Sequence, residues 1–372
     1  VELRVIRTLD EFCNMQSQWD ELIGVLDPVP VPLSHAWLSS WLNAFAAREQ
    51  MEFRCVFHNE RLVGVAPLLR GRESYRGIPV TLLKLAANGH SPYSMVVVHP
   101  QLSADQKRRA LELLTRVEPN EVGLFFKIPR HSELRAFLLD QSGLGHEYVG
   151  EKPSLLTPVI PINGDWQAFF GARPKKLKRS LRHKLNRYHA DGGFQVDQEV
   201  ITSSDQPVID ELVTISANSW KAGIGNDLKS NDRSRQFLLR LTETFGNSGR
   251  LSAWIMRRAG QPVAFELHLA DGGVVYPIRA DYDQSFKAFS PGSVLEYTVL
   301  KHLFDSQSAR QYYTCADDYW YLSNWTSEYA EFCTIEVFGS SAALRALYYL
   351  EYRVIPVVKR LLGKKPRTHR AA

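Results

Sequence analysis

Residues 251–315 read LSAWIMRRAGQPVAFELHLADGGVVYPIRADYDQSFKAFSPGSVLEYTVLKHLFDSQSARQYYTC. Leu251–Arg257, Pro262–Leu269 and Val274–Ala280 are β-prone apolar runs and read as three successive strands. Ser293–Phe304 reads as a helix, and Gln311–Cys315 as a fourth strand. The third strand, the helix and the fourth strand thus make a strand-helix-strand step, with Ser290-Pro291-Gly292-Ser293 where the helix begins. A helix start carries N–H groups without intrahelical partners and a partial positive charge, so it attracts anions. Gly292 lets a phosphate come close to the backbone, Ser290 and Ser293 offer hydroxyls, and Lys287 adds charge. The competing reading is an ordinary helix cap.

Proton-transfer groups surround this step. In Val263–Leu269 the apolar residues fall at odd positions, so Glu266 and His268 share the other face of their strand and are expected to reach one cleft. A merely solvated face is the alternative. Asp281 and Asp283 follow the third strand, and Asp317 and Asp318 the fourth, where carboxylates from adjacent strand ends can converge. Loop aspartates also form turns. Glu266 and Asp317 are the first candidates for a general base and Asp281 the next. Tyr321 is the candidate acid, although the aromatic run from Tyr319 to Trp325 also suits packing.

Upstream lies the strongest charge signal, eight cations within residues 173–187: Arg173, Lys175, Lys176, Lys178, Arg179, Arg182, Lys184 and Arg187. Leu177, Leu181, Leu185 and Tyr188 give the same helix an apolar stripe. It reads as a solvated helix, a phosphate-binding helix or a nucleic-acid contact. The first half, residues 1–155, has related grammar: a strand at Val1–Arg7, helices through Trp19 and Trp37, and strands at Phe53–Phe57, Leu62–Leu69, Val80–Leu85 and Val122–Ile128. Residues 156–340 form the second half. Residues 341–372 form an amphipathic helix and a basic tail, which suit either an anionic membrane surface or simple packing.

The 372 residues exceed one ordinary domain, and 44% hydrophobic with 23% charged residues is globular usage, which argues against disorder. A net charge of +5 favours anionic partners without choosing one. Four dispersed cysteines show no metal-ligand spacing, and no metal is expected. No run approaches the roughly 20 apolar residues of a membrane span, so a cytoplasmic protein, peripheral at most at the inner membrane face, is expected.

Taken together, several stretches resemble the CelD-like acetyltransferases of bacterial envelope and exopolysaccharide gene clusters, relatives of the Fem peptidyltransferases. They are His35-Ala36-Trp37-Leu38, Leu62–Leu68, Gly89–Val98, Lys175–Arg182, Val263-Ala264-Phe265, Ser290-Pro291-Gly292 and Asp317–Trp325. The resemblance implies an α+β chain of two tandem GNAT-like folds, each a mixed, mostly antiparallel sheet flanked by helices. It also implies transfer of an acyl group to an acceptor amine or hydroxyl without naming the acceptor; the leading expectation is acetyl-CoA or another acyl-CoA as donor and an amino sugar or saccharide intermediate as acceptor. By analogy the donor arm lies between the third and fourth strands, with Lys287, Ser290, Gly292 and Ser293 at its phosphates. His90, Tyr93, His268 and Asp318 are expected at the acceptor. The chain departs from the family at Pro92-Tyr93, often Asp-Tyr, at Tyr321, often lysine, and at Phe289, where a basic or amide residue is common. An aminoacyl-tRNA donor, as in the Fem enzymes, and a non-catalytic component of a polysaccharide assembly are the alternatives.

Overall fold

The computed structural model describes residues 1–46, 51–140, 148–202, 206–316 and 321–362. The chain forms two compact units. In the first, β1 (Glu2–Ile6) leads through α1 (Leu9–Asn14), α2 (Gln16–Gly24) and α3 (His35–Phe45) to β2 (Met51–His58), β3 (Arg61–Tyr75), β4 (Ile78–Leu85) and β5 (Val97–Val98). Next come α4 (Ala104–Thr115), β6 (Glu121–Pro129), α5 (Glu133–Leu139) and β7 (Val149–Pro161), whose last residues belong to the second unit. The second unit continues with α6 (Trp166–Gly171), α7 (Lys175–Asp191), β8 (Phe194–Val200), α8 (Gln206–Ala217), α9 (Asp232–Phe245), β9 (Leu251–Arg258), β10 (Gln261–Asp271), β11 (Val274–Tyr282), α10 (Pro291–Ser306) and β12 (Gln311–Tyr313). The chain then returns to the first unit as β13 (Tyr329–Phe338), α11 (Ala342–Tyr349), a π turn (Leu350–Val354) and α12 (Ile355–Leu361).

Each unit is built on two successive hairpins whose two-residue turns have positive φ at both positions. They are Asn59-Glu60 and Arg76-Gly77 in the first, and Ala259-Gly260 and Gly272-Gly273 in the second. Such turns match the right-handed strand twist, which sets the antiparallel pairings β2–β3–β4 and β9–β10–β11. After the third strand the two units do the same thing. A helix crosses over to a parallel neighbour, β4 to β6 through α4 and β11 to β12 through α10. A strand antiparallel to that neighbour follows: β13 on β6, and residues 159–161 of β7 on β12.

The linear reading placed residues 330–340 in the second half. In the structure β13 carries Cys333, Ile335 and Val337 into the core of the first unit with Leu83, Phe125 and Ile128. Strand pairing decides this, since the chain need only be long enough to return. The second unit's core gathers under α10, where Val294, Leu295, Val299 and Leu303 meet Trp254, Ala264 and Val275 of the sheet. Leu177, Leu181, Leu185 and Tyr188 of α7 pack on the same cluster, so the basic helix is fixed along its apolar stripe. Residues 194–250, to which the sequence reading assigned no element, hold β8, α8 and α9.

Candidate functional site

β11 and β12 pair at two positions, Val274 with Gln311 and Val275 with Tyr312. β12 then ends at Tyr313, while β11 runs on to Tyr282 paired with β10 alone among the described residues. Parallel strands that part so soon open a wedge in the sheet. Within this free stretch the β10–β11 register slips: Leu267 faces Arg279, but His268 faces Pro277, so Ile278 is an extra residue in β11. A bulge of this kind re-aims backbone groups and is over-represented beside active sites. Two non-glycine residues near the wedge take left-handed backbone, Ser290 before α10 (φ 53°) and Cys315 after β12 (φ 55°).

The start of α10 lies beyond the end of β11. Ser290 is its N-cap in position only, because no side chain caps the helix. A Cβ built on Gly292 would have Tyr282 Cδ1 at 3.8 Å as its one near neighbour, so the glycine faces open space. Neither packing nor a positive φ calls for glycine there. Lys184 of α7 donates to Ser293 Oγ at 2.8 Å, and Arg187 donates to the Ala288 carbonyl. Lys287 is exposed on the same approach. Two of the seven cations of α7 thus lie beside a helix start that carries a partial positive charge. The first unit differs at the corresponding helix. Ser103 accepts from Gln106 N at 3.3 Å while Gln106 returns a bond to Ser103 N at 3.0 Å, so α4 is closed by a capping box of its own side chains.

Glu266 and His268 share a face of β10 and are bonded to each other, His268 Nε2 lying 3.0 Å from Glu266 Oε2. That face is covered by α10, and both side chains are buried. Tyr312, at the last paired position of β12, donates to Glu266 at 3.1 Å and so connects the pair to the root of the wedge. Glu296 of α10 joins this cluster and was missed by the sequence reading. Burial pushes its carboxyl up to about 8 and the Glu266 charge adds to the rise, while a Trp325 hydrogen bond and the Lys184 charge oppose it. Lys184 in turn is held below the ordinary lysine range by burial, with the Glu296 charge opposing.

Asp281 faces the other side of the sheet. It accepts from Ser216 Oγ at 2.8 Å and pairs with Lys221 at 2.6 Å and Arg279 at 2.8 Å, tying α8 and the turn at Trp220–Ile224 to β11. Asp283 caps the turn Gln284–Phe289. Tyr321 is exposed, and Asp317 and Asp318 lie outside the described residues. His90 and Tyr93 belong to the first unit, where Tyr93 stacks on Phe332 at 6.0 Å between ring centres.

A mixed sheet with a parted parallel pair, a bulge in the longer strand and an uncapped helix over the gap defines a class. The chain has a tandem GNAT-like architecture and is an acyltransferase. Residues 175–321 match the family model described as "Acetyltransferase (GNAT) domain", so the chain carries such a domain within its second unit. A GNAT domain implies an acyl-CoA donor. Solved structures share the fold over most of the chain. A conserved protein of unknown function from Bacteroides thetaiotaomicron VPI-5482 is 13% identical with a TM-score of 0.56, covering 91% of this chain and 100% of that one. The C-terminal domain of a putative lysylphosphatidylglycerol synthetase from Agrobacterium fabrum is 11% identical, with a TM-score of 0.53 and coverage of 92% and 97%. FemX is 11% identical, with a TM-score of 0.52 and coverage of 94% and 100%. At such identities the likeness is one of fold. No curated protein matches the sequence. Among the described residues no helix is long and apolar enough to cross a membrane.

Proposed function

We propose that this protein transfers an acyl group, acetyl in the simplest case, from acyl-CoA to an amine or hydroxyl of a saccharide intermediate in bacterial envelope or exopolysaccharide synthesis, on the cytoplasmic side of the membrane. The observation that carries the donor assignment is the contrast between the two crossover helices: α4 is closed by its own capping box, whereas α10 has no side-chain cap and has Lys184 and Arg187 beside it. The resemblance to CelD-like enzymes supports the acceptor class.

The residues present fit a CoA donor, since the space beside Gly292 is open and flanked by cations. Bound there, the donor supplies a thioester carbonyl already activated toward a nucleophile. The first-turn N–H groups of α10, Lys184 and Arg187 hold its phosphates, and the wedge between β11 and β12 holds its arm. Glu266 takes the acceptor's proton through the Tyr312 hydroxyl, with His268 fixing the carboxylate. Glu296, still carrying its proton at neutral pH, supplies one to the departing sulfur.

Calorimetry with acetyl-CoA and longer acyl-CoAs tests the donor; folded protein that binds none of them refutes it. Thiol release with candidate saccharides tests transfer, and Glu266→Gln is expected to lower kcat by about 10²–10⁴-fold with little change in donor affinity. A second reading, an aminoacyl-tRNA donor, draws on the fold shared with FemX and on exposed Lys175, Lys176, Arg179 and Arg182 of α7. It requires tight, salt-sensitive tRNA binding without CoA binding.

A further inference from the structure

The C-terminal helix begins packed and ends unpacked. Leu344, Leu347 and Tyr348 of α11 are buried with Tyr75, Val122 and Phe338. One turn later Glu351 is buried between Arg76 at 2.7 Å and Lys152 at 2.9 Å. Tyr352 donates to Glu336 at 2.6 Å, and Tyr75 and Lys152 bond to the same carboxylate. This network pins the helix to the first unit as far as Tyr352.

Beyond that point no residue of α12 is buried. Leu350, Val354, Val357, Val358 and Leu361 are exposed, Leu361 at 81%, and their spacing of four, three, one and three residues places them in one stripe. Arg345, Arg353, Lys359 and Arg360 are exposed along the same helix. The single acid between residues 342 and 372 is Glu351, already engaged by Arg76 and Lys152. Residues 363–372 lie outside the described part; their sequence adds Lys364, Lys365, Arg367 and Arg370.

Unburied aliphatic residues at this density would not persist on a surface meant only for water. A polynucleotide would use the cations but not the stripe. A surface that offers hydrocarbon beneath a layer of negative charge uses both. We propose that α12 and the turn before it dock the protein on an anionic lipid surface, the stripe entering the headgroup boundary and the cations resting on lipid phosphates. The pinned base makes the contact rigid, so docking fixes the orientation of the first unit on the membrane. This inference is independent of the donor and acceptor, because binding to lipid needs no catalysis.

Sedimentation of the full chain with vesicles tests it, using phosphatidylcholine alone against phosphatidylcholine mixed with phosphatidylglycerol. Binding is expected to be at least about tenfold stronger to the anionic vesicles and to weaken as salt rises. The double variant Val357→Asp/Leu361→Asp should lose that binding while keeping its melting temperature and acetyl-CoA affinity, since neither residue packs on the protein. Lys359→Gln/Arg360→Gln should weaken it by about fivefold per charge. Equal binding to both vesicle types, or none by folded protein, overturns the proposal. So does tRNA binding without vesicle binding, which would assign the cations to nucleic acid. A dimer that the aspartates split, with vesicle binding unchanged, would identify a second copy as the occupant and overturn it too.

Discussion

Gly292 separates stability from donor binding at a single residue. The Cβ of an aspartate there meets nothing closer than Tyr282, and its carboxylate places a negative charge in the first turn of α10, which favours the helix by about 0.3–1 kcal/mol. The same charge would repel a pyrophosphate. Gly292→Asp should therefore melt no lower than the native protein while binding acetyl-CoA at least about tenfold more weakly, as thermal melts and calorimetry on one sample would reveal. An unchanged affinity would remove the phosphates from this helix start. Glu296 makes a second prediction through proton linkage. Its carboxyl titrates near 8 in the fold against 4.5 for an ordinary glutamate, so between those values the folded state holds the extra proton. Stability from this group is then highest below pH 4.5 and falls as pH rises toward 8, by up to about 1.4 kcal/mol per unit. Glu296→Gln should remove that slope and raise the melting temperature most near pH 8; parallel slopes in the two proteins would refute it. The residue was hard to see in the sequence because a glutamate on a helix usually faces water. One signal was present: Glu296 precedes Val299 by three and Leu300 by four, both buried, which places it beside the stripe that points inward.

Alternation along β10 was enough to put Glu266 and His268 on one face, and β9, β10, β11, α7 and α10 were legible from their apolar patterns. What α10 does to that face was not legible. Covering a strand is a long-range event, and the period of β10 carries no record of it. The same limit applies to β13, whose composition suits either unit until its pairing with β6 is known. Residues 194–250 did carry local signals, such as Ile209, Leu212 and Ile215 or Phe237, Leu238, Leu241 and Phe245, but these lie among polar residues and long gaps that hide the periods. The C-terminal helix depends on an element contact just as invisible in sequence: a Cβ on Gly150 of β7 would lie 1.9 Å from the Tyr352 ring. Gly150→Ala must push that ring off the strand and loosen its bond to Glu336. Overpacking of this kind costs about 1–3 kcal/mol. Urea unfolding should show it, whereas unchanged stability would mean the ring yields freely and the helix is not pinned there.

Two units with the same grammar but different helix starts would divide the labour of the molecule under the proposed function. Strand order, turn type and parallel crossover recur in each, so fold alone would permit a donor in either. Local chemistry breaks the symmetry: in the first unit the N–H groups of α4 are already answered by Ser103 and Gln106, and in the second a glycine and two cations surround an uncapped end. A bound anion should then order one unit and leave the other as it was. Hydrogen exchange read across the whole chain tests this directly, because amides that gain a partner or lose water access exchange more slowly. With acetyl-CoA at about 100 times its Kd, the bound state gains about 2.7 kcal/mol, enough to slow local opening about a hundredfold where the ligand contacts the chain. Protection is expected at residues 276–297, at 313–316 and along 184–187. The corresponding stretch of the first unit, residues 86–106 with 124–129, should exchange at its original rate. Protection confined to that first-unit stretch would reverse the assignment of donor and acceptor halves, and equal protection in both would mean that a capping box is no barrier to a phosphate.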